Sequence, residues 1–284
     1  MPIVSRRTLR RALGQSALRD TYVGTTSLSL GANIAVVVMD RYLADPYLSA
    51  PKYQNASLLV ASVSYRVASF NFQSGSLMSG QTAINAIASG ADFELSWMLP
   101  AEDKERCIDD TIKRIRVRRE ITAPSIDGAE FYSITGWASP HTITGVMDAY
   151  YFANPTNSVN RDRREFYSKV VVETPSGPEL RIAGVVPSGA QMALDAILTL
   201  SLGSGDAATI NIPDERLIIA GAEAKAYDLL MRNTPGQVSD IYKQHRQDAA
   251  REFSRLSAIY KPLVTRTLQF DTPFSRPGLL WWVG

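Results

Sequence analysis

The sequence predicts an α+β protein: a four-helix bundle with two strand-rich insertions, the second sandwich- or jelly-roll-like, and an extended C-terminal tail. Amphipathic helical segments alternate with two long zones of β-branched and aromatic residues that Gly, Pro, Asn and Ser interrupt. None of the helices can bury its apolar stripe alone, so we expect all four to pack together. The expected divisions are 1–20, 100–119 and 213–262 for the bundle, 21–99 and 120–212 for the insertions, and 263–284 for the tail.

Composition narrows the class of protein. Of 284 residues, 45% are hydrophobic and 20% are charged, which is typical of a globular chain. Thirty Lys and Arg against 28 Asp and Glu leave a net charge of +2, so a role with nucleic acid would need a local patch. The single Cys107 excludes an internal disulfide framework. We expect neither a secretory signal nor a membrane helix, and hence a soluble intracellular protein.

The first predicted helix runs from Arg6 to Leu18, and Ser5 is suited to cap its N-terminus. Apolar residues recur at every fourth position and form its buried stripe: Leu9, Leu13 and Ala17. Arginines cover the rest of its surface: Arg6, Arg7, Arg10, Arg11 and Arg19. These arginines form either an ordinary solvated face or a contact surface for an acidic partner.

The zone from 21 to 99 predicts strands at 27–30, 35–39, 57–61 and 65–72. Residues 40–55 are expected to form a long ordered loop. Its tyrosines either anchor the loop to its own β zone or stack on sugars or bases; they are Tyr42, Tyr47 and Tyr53.

The second predicted helix spans 100–119. Pro100 suits a first turn, and acidic residues before basic ones complement the helix dipole. Cys107 is interpreted as inert packing beside the stripe. Asp109 and Asp110 do not face each other as a catalytic pair would. The expected stripe is Ile108, Ile112 and Ile115, and the basic end is Lys113, Arg114, Arg116, Arg118 and Arg119.

Residues 120–212 predict an antiparallel sandwich or jelly roll. A turn at Thr174–Gly177 is expected to join two of its strands, because Pro presets φ and Gly tolerates positive φ. The predicted strands are 131–137, 141–152, 165–172, 179–184, 196–202 and 208–212.

Two further helices precede the tail. Small residues in the helix from Pro213 to about Arg232 allow close backbone approach and place it centrally. A break at 233–236 before a helix over 237–260 predicts an antiparallel helical hairpin. The tail, 263–284, has no helical period, and ordering it requires strand pairing or a groove. Its expected anchors are Phe270, Phe274, Trp281 and Trp282.

Motifs for catalysis, cofactors or metals are lacking. His141 and His245 have no neighbour at a metal-ligand spacing, and no Walker A loop or G-x-S-x-G elbow occurs. The segment 203–208 spells G-x-G-x-x-A, but 209–212 predicts a strand where a dinucleotide site needs a helix. We expect no catalytic residue, no cofactor and no metal.

The helical segments follow a distinctive order. A short basic helix (Thr8–Leu13) comes first, then a helix from Pro100 to Ile115. A Pro-Asp-Glu opening at 213–215 leads into an alanine-rich helix to Tyr227, and a polar helix from Tyr242 to Tyr260 closes the series. This series resembles the head–tail connector (neck adaptor) proteins of tailed bacteriophages.

The resemblance implies a non-enzymatic structural protein of the virion neck, assembled in the host cytoplasm. It would form a ring, usually of twelve copies, that docks beneath the portal protein, lets double-stranded DNA pass and receives the next neck or tail protein. A small net charge suits a conduit, because tight phosphate binding would stall passage. Portal-facing candidates are Arg6, Arg7, Arg10 and Arg11, and the tail anchors would hold the portal or an adjacent subunit.

Two other functions stay open. The lobe 120–212 would bind carbohydrate or another tail component through Trp137, Tyr150 and Tyr151. An enzyme would draw on scattered carboxylates such as Asp148 and Glu165.

Overall fold

The computed structural model describes residues 3–27, 29, 31, 35–40, 43, 53–71, 73–83, 86–125, 131–153, 162–166, 168–183, 190–233, 237–262 and 270–271. The chain divides into two compact units. The first contains Met1–Ile112 and Leu202–Ile259, and the second contains Lys113–Ser201 and Tyr260–Gly284.

Four α-helices occur in the described residues: α1 (Arg6–Ala12), α2 (Ala101–Ile112), α3 (Glu215–Asn233) and α4 (Gln237–Tyr260). A π-helical turn, Leu13–Ala17, continues α1. The strands β1 to β8 are Ile3–Ser5, Thr21–Thr25, Ala35–Met39, Ser57–Val60, Val63–Asn71, Ser76–Thr82, Asp92–Ser96 and Arg116–Ser125. The strands β9 to β16 are Phe131–Ser133, Thr142–Phe152, Arg163–Glu165, Ser168–Thr174, Gly177–Ala183, Gln191–Thr199, Thr209–Asn211 and Phe270–Asp271.

A curled six-stranded antiparallel sheet dominates the first unit, in the order β2-β7-β4-β5-β6-β3. Its core includes Leu58, Val67, Leu77, Phe93 and Leu95, all essentially without solvent exposure. Strand β1 pairs with β15, so the predicted strand at 208–212 belongs here and not with the strands of the second unit. Helices α1, α2 and α3 contact one another in the same unit.

The second unit holds two four-stranded sheets, β11-β10-β14-β8 and β16-β12-β13-β9. Lys169 on β12 donates to the Ala149 carbonyl on β10 at 2.7 Å, which links the two sheets. The predicted turn between β12 and β13 is confirmed: Thr174 pairs with Gly177, whose φ of 112° suits glycine.

The prediction of a four-helix bundle with insertions is wrong. Strands account for 40% of the structure and helices for 32%. Helix α1 has only seven residues, and two of its three buried side chains are Arg6 and Arg10 rather than apolar groups. Since Arg10 pairs with Glu94 on β7, α1 is attached to the sheet by charge instead of closing an apolar bundle.

The second helix ends earlier than predicted. Helix α2 stops at Ile112. Lys113 and Arg114 of the basic run lie in a turn, and Arg116, Arg118 and Arg119 belong to β8. Ile115 and Val117 are buried while Arg116 and Arg118 between and after them are exposed, which is the two-residue period of a strand. That alternation outweighed the favourable placement of cations at a helix C-terminus.

The predictions for the last two helices are confirmed. Helix α4 has the predicted bounds, and α3 buries its small residues, including Gly221. A Cβ added to Gly221 would lie 2.4 Å from the Thr111 side chain of α2 and 2.8 Å from the Phe253 ring of α4, so both side chains pack directly against α3 there. Tyr227 stacks on His245 at 5.2 Å between ring centroids, which fits an antiparallel hairpin. Among the described residues, no helix is both long and apolar enough to cross a membrane.

Candidate functional site

Four arginines on α1 meet five carboxylates from three separate parts of the first unit, and we call this set the arginine cluster. Its carboxylates are Asp92 and Glu94 on β7, Glu105 and Asp109 on α2, and Asp206 in the turn before β15. Ser5 positions α1, because its Oγ accepts from the Thr8 N–H at 3.1 Å and caps the helix.

Arg10 is the centre of the arginine cluster and is only 1% exposed. Its Nε and Nη2 donate to the two oxygens of Glu94 at 2.8 and 2.9 Å, in the bidentate geometry that suits a guanidinium. Its Nη1 donates to Asp206 at 2.6 Å. Burial alone would lower the pKa of Arg10, but the hydrogen bonds to Glu94 and Asp206 raise it above its ordinary value. Arg10 in turn holds the pKa of Asp206 below its usual range.

Arg6 is also buried, at 4% exposure. It donates to both oxygens of Asp109, at 3.1 and 2.7 Å, and to the Gly203 carbonyl at 2.9 Å. This arginine therefore joins α1, α2 and the 203–208 segment.

Arg7 and Arg11 lie at the surface, with 37% and 25% of their side chains exposed. Arg7 pairs with Asp92, and Arg11 donates to Glu94 at 2.9 Å and to Asp92 at 3.2 Å. Of the four arginines predicted to face a partner, Arg6 and Arg10 are thus buried in ion pairs inside the unit, and Arg7 and Arg11 lie at its surface.

An open cavity of about 390 Å³ lies beside the arginine cluster. Its walls include Arg7, Arg10, Arg11 and Asp206 and the turn at Ala61 and Ser62. Each of these arginines already meets a carboxylate, so the cavity presents balanced charge rather than an isolated cation for an anionic ligand.

A second buried polar group, Lys104, was missed by the sequence analysis. It is 1% exposed, and its Nζ lies 2.7 Å from Asp20 Oδ1 and 2.9 Å from Ser96 Oγ. Burial lowers its pKa in spite of Asp20. The signal was present: Lys104 stands four residues before Ile108 and eight before Ile112, within the buried stripe of α2.

Helix α4 presents most of its surface to solvent. Among its described side chains, 238–260, only Ala249 and Leu256 are buried. Several large apolar side chains are exposed on it: Val238, Ile241 and Ile259 at 45%, 57% and 59%. Its charges pair locally, as in Arg251 with Asp248 and Arg255 with Glu252.

The predicted tail anchors fall mostly outside the described residues. Phe274, Trp281 and Trp282 lie there, as do Tyr42 and Tyr47 of the 40–55 loop. The backbone of Phe270 is described: β16 pairs in parallel with Val171 and Val172 of β12.

The aromatic residues of the carbohydrate alternative do not form an open platform. Tyr150 is 3% exposed and lies under the guanidinium of Arg163, 3.7 Å from its ring centroid. Tyr151 is 9% exposed and packs on Phe166 at 5.3 Å. Trp137 is half-buried.

Tyr53, the described tyrosine of the 40–55 loop, is 6% exposed and makes an edge contact with Phe70 at 4.9 Å. At Tyr53, the tyrosine is therefore packed on its own sheet instead of being open for stacking on a ligand.

The carboxylates of the enzyme alternative are held by cations. Asp148 accepts from Arg163 at 2.8 Å, and Glu165 accepts from Lys169 at 2.6 Å. Cys107 is buried, which raises its pKa to about 11 and disfavours the nucleophilic thiolate. Across the described ranges, no group of three His, Cys, Asp or Glu side chains is placed to hold a metal ion.

Comparison with known proteins gives no further assignment: neither a family model nor a curated protein sequence matches this chain.

Proposed function

We propose that this chain is a structural virion protein, a head–tail connector that forms a ring beneath the portal and lets the genome pass to the tail. The observation that carries the proposal is the α3–α4 hairpin. Helix α4 contacts α3 through Phe253 and His245 and leaves Val238, Ile241 and Ile259 exposed. Val238 and Ile241 are three residues apart on one helix and therefore adjoin, and adjoining exposed apolar side chains are typical of a surface that another protein covers.

The charges of α4 support passage of DNA rather than capture. Arg251 and Arg255 are each paired within their own helix turn, and Arg246 pairs with Asp228 at 2.8 Å. A helix on which most cations are matched by neighbouring anions offers few free charges to phosphates.

The arginine cluster leaves fewer arginines available for a portal contact than the four that the sequence predicts. Arg6 and Arg10 are buried in ion pairs within the subunit, so only Arg7 and Arg11 remain as portal-facing candidates. An acidic portal rim would compete with Asp92 for both.

Electron microscopy of purified virions, with the chain located in the density, tests the proposal. We expect its density in a ring directly beneath the portal. Density at the tail tip, or absence of the chain from the particle, would contradict the connector function.

A second measurement addresses the α4 surface. Ile241→Asp is expected to reduce the ring to smaller species in native mass spectrometry, while Met78→Asp serves as a matched control because Met78 is similarly exposed, at 47%, on β6. An Ile241→Asp chain that assembles as fully as the control would exclude α4 from the subunit contact.

A further inference from the structure

A buried lysine and a buried aspartate lie in direct contact in the first unit. Lys104 Nζ is 2.7 Å from Asp20 Oδ1, and the two residues are 1% and 0% exposed. Because Cγ is bonded to Oδ1, the nitrogen lies within about 4 Å of the carboxyl carbon, close to a near-attack distance.

From this geometry we propose that Lys104 and Asp20 condense to an intramolecular amide bond, a covalent crosslink between α2 and the segment that leads into β2. The proposal is independent of the connector function.

The neighbouring groups provide a path for the protons. Lys104 Nζ donates to Thr21 Oγ1, and Thr21 Oγ1 donates to Asp20 Oδ1. This relay can carry a proton from the ammonium to the carboxylate, which leaves a neutral amine and a neutral acid. Burial lowers the pKa of Lys104, which favours loss of a proton from its ammonium group.

The bond changes balance. The amine lone pair attacks Cγ, so the Nζ–Cγ bond forms and the Cγ–Oδ1 bond breaks. Oδ1 departs as water with two protons that began on the ammonium. Oδ2 remains as the amide oxygen, and it already accepts from the Leu99 N–H at 2.9 Å, which stabilises negative charge there during the addition.

The site is closed against water. Gly14 in the π-helical turn covers it so tightly that a Cβ there would lie 2.2 Å from Thr21 Oγ1 and 3.1 Å from Lys104 Nζ. Exclusion of water favours condensation over the reverse hydrolysis.

Intact mass spectrometry of the purified, folded and then denatured full chain tests the proposal. We expect the mass to be lower than the sequence mass by one water molecule. Fragmentation should identify a branched peptide that joins Asp20 to Lys104 and is uncleaved by trypsin after position 104. A chain with the full sequence mass overturns the proposal without any variant.

Two variants identify the residue responsible. Lys104→Arg keeps the cation and should restore the full mass, whereas Lys113→Arg, at an exposed lysine, should keep the loss. Cyclisation at Asp127-Gly128 would also release water, but it would persist in Lys104→Arg and give no branched peptide. Persistence of the loss in that variant therefore overturns the assignment.

Discussion

At the scale of single residues, the distinctive feature of this protein is charge taken out of water. Arg10 and Glu94 are 1% and 4% exposed and share two hydrogen bonds. Each ion pays a desolvation cost on folding, and only close, complete pairing offsets it. The stability of the α1 attachment therefore depends on the partners of Arg10 being present together.

Replacing Arg10 should be strongly destabilising. Arg10→Met keeps the bulk of the side chain but leaves Glu94 buried without its bidentate partner, which we expect to cost about 3–5 kcal/mol in the free energy of unfolding. Arg7→Met, at a surface pair, should cost no more than about 1 kcal/mol. Urea unfolding of the two variants measures both values. Equal losses of unfolding free energy would argue against a special stabilising role for the buried Arg10 ion pair.

Asp206 should give the stability a dependence on pH. Its folded-state pKa lies below the ordinary 3.8 because Arg10 donates to it, so it binds a proton more weakly in the folded chain than in the unfolded chain. The resulting stabilisation is complete above the unfolded-state pKa and is lost as the pH falls through the folded-state pKa.

Asp206→Asn is accordingly expected to be less stable than the natural chain at pH 7. The difference should shrink as the pH falls below 3.8. Urea titrations at several pH values measure it, with Asp248→Asn on exposed α4 as the control. A difference that does not change with pH would assign the effect to packing instead.

At the scale of elements, α3 packs against both α2 and α4 at Gly221. Gly221 faces Thr111 of α2 and Phe253 of α4, and neither neighbour leaves room for a methyl group. The missing side chain at Gly221 thus leaves space for side chains of two other helices, although the helices form no four-helix bundle.

Gly221→Ala tests this contact. Alanine favours helix by about 1 kcal/mol over glycine, but overpacking should outweigh that gain and destabilise the protein by about 1–3 kcal/mol. Gly80→Ala is the control, because the nearest atom to its added Cβ is 3.9 Å away. Thermal unfolding followed by circular dichroism compares them, and a stabilised Gly221→Ala would contradict the close packing.

At the scale of the whole molecule, the chain is strand-dominated with a helical hairpin whose outer helix is largely exposed. Within the C-terminal segment, β16 adds to the edge of a sheet through Val171 and Val172. Pairing at the edge of a sheet is a common means of attaching an extended segment.

Removing residues 272–284 should separate folding from assembly. This truncation keeps β16, so we expect the monomer to fold and to unfold with the same midpoint as the full chain. If the proposed connector function holds, the truncated chain should lose docking to the portal or to the neighbouring copy, measured by co-sedimentation with portal particles. Normal docking of the truncated chain would show that residues 272–284 do not hold the portal or the neighbouring copy. The double variant Trp281→Ala, Trp282→Ala would then be expected to dock normally as well.

Local signals made part of this structure predictable. The cap at Ser5, the turn at Thr174–Gly177 and the bounds of α4 each depend on a few neighbouring residues, so the sequence alone was sufficient. The end of α2 could not be predicted from the helix dipole. Ile115 and Val117 alternate with arginines because this segment leads into β8, which pairs with the distant strand β14.

The sequence by itself determined that α1 would be a capped, arginine-rich helix and that two helices would form a hairpin. Only the tertiary structure decided that Arg6 and Arg10 turn inward, and that Lys104 meets Asp20. The physical reason is that a buried charge is tolerated only beside its counter-charge. Those partners include Asp109, Glu94 and Asp206. They are far away in sequence and are brought together by α2, β7 and the turn before β15.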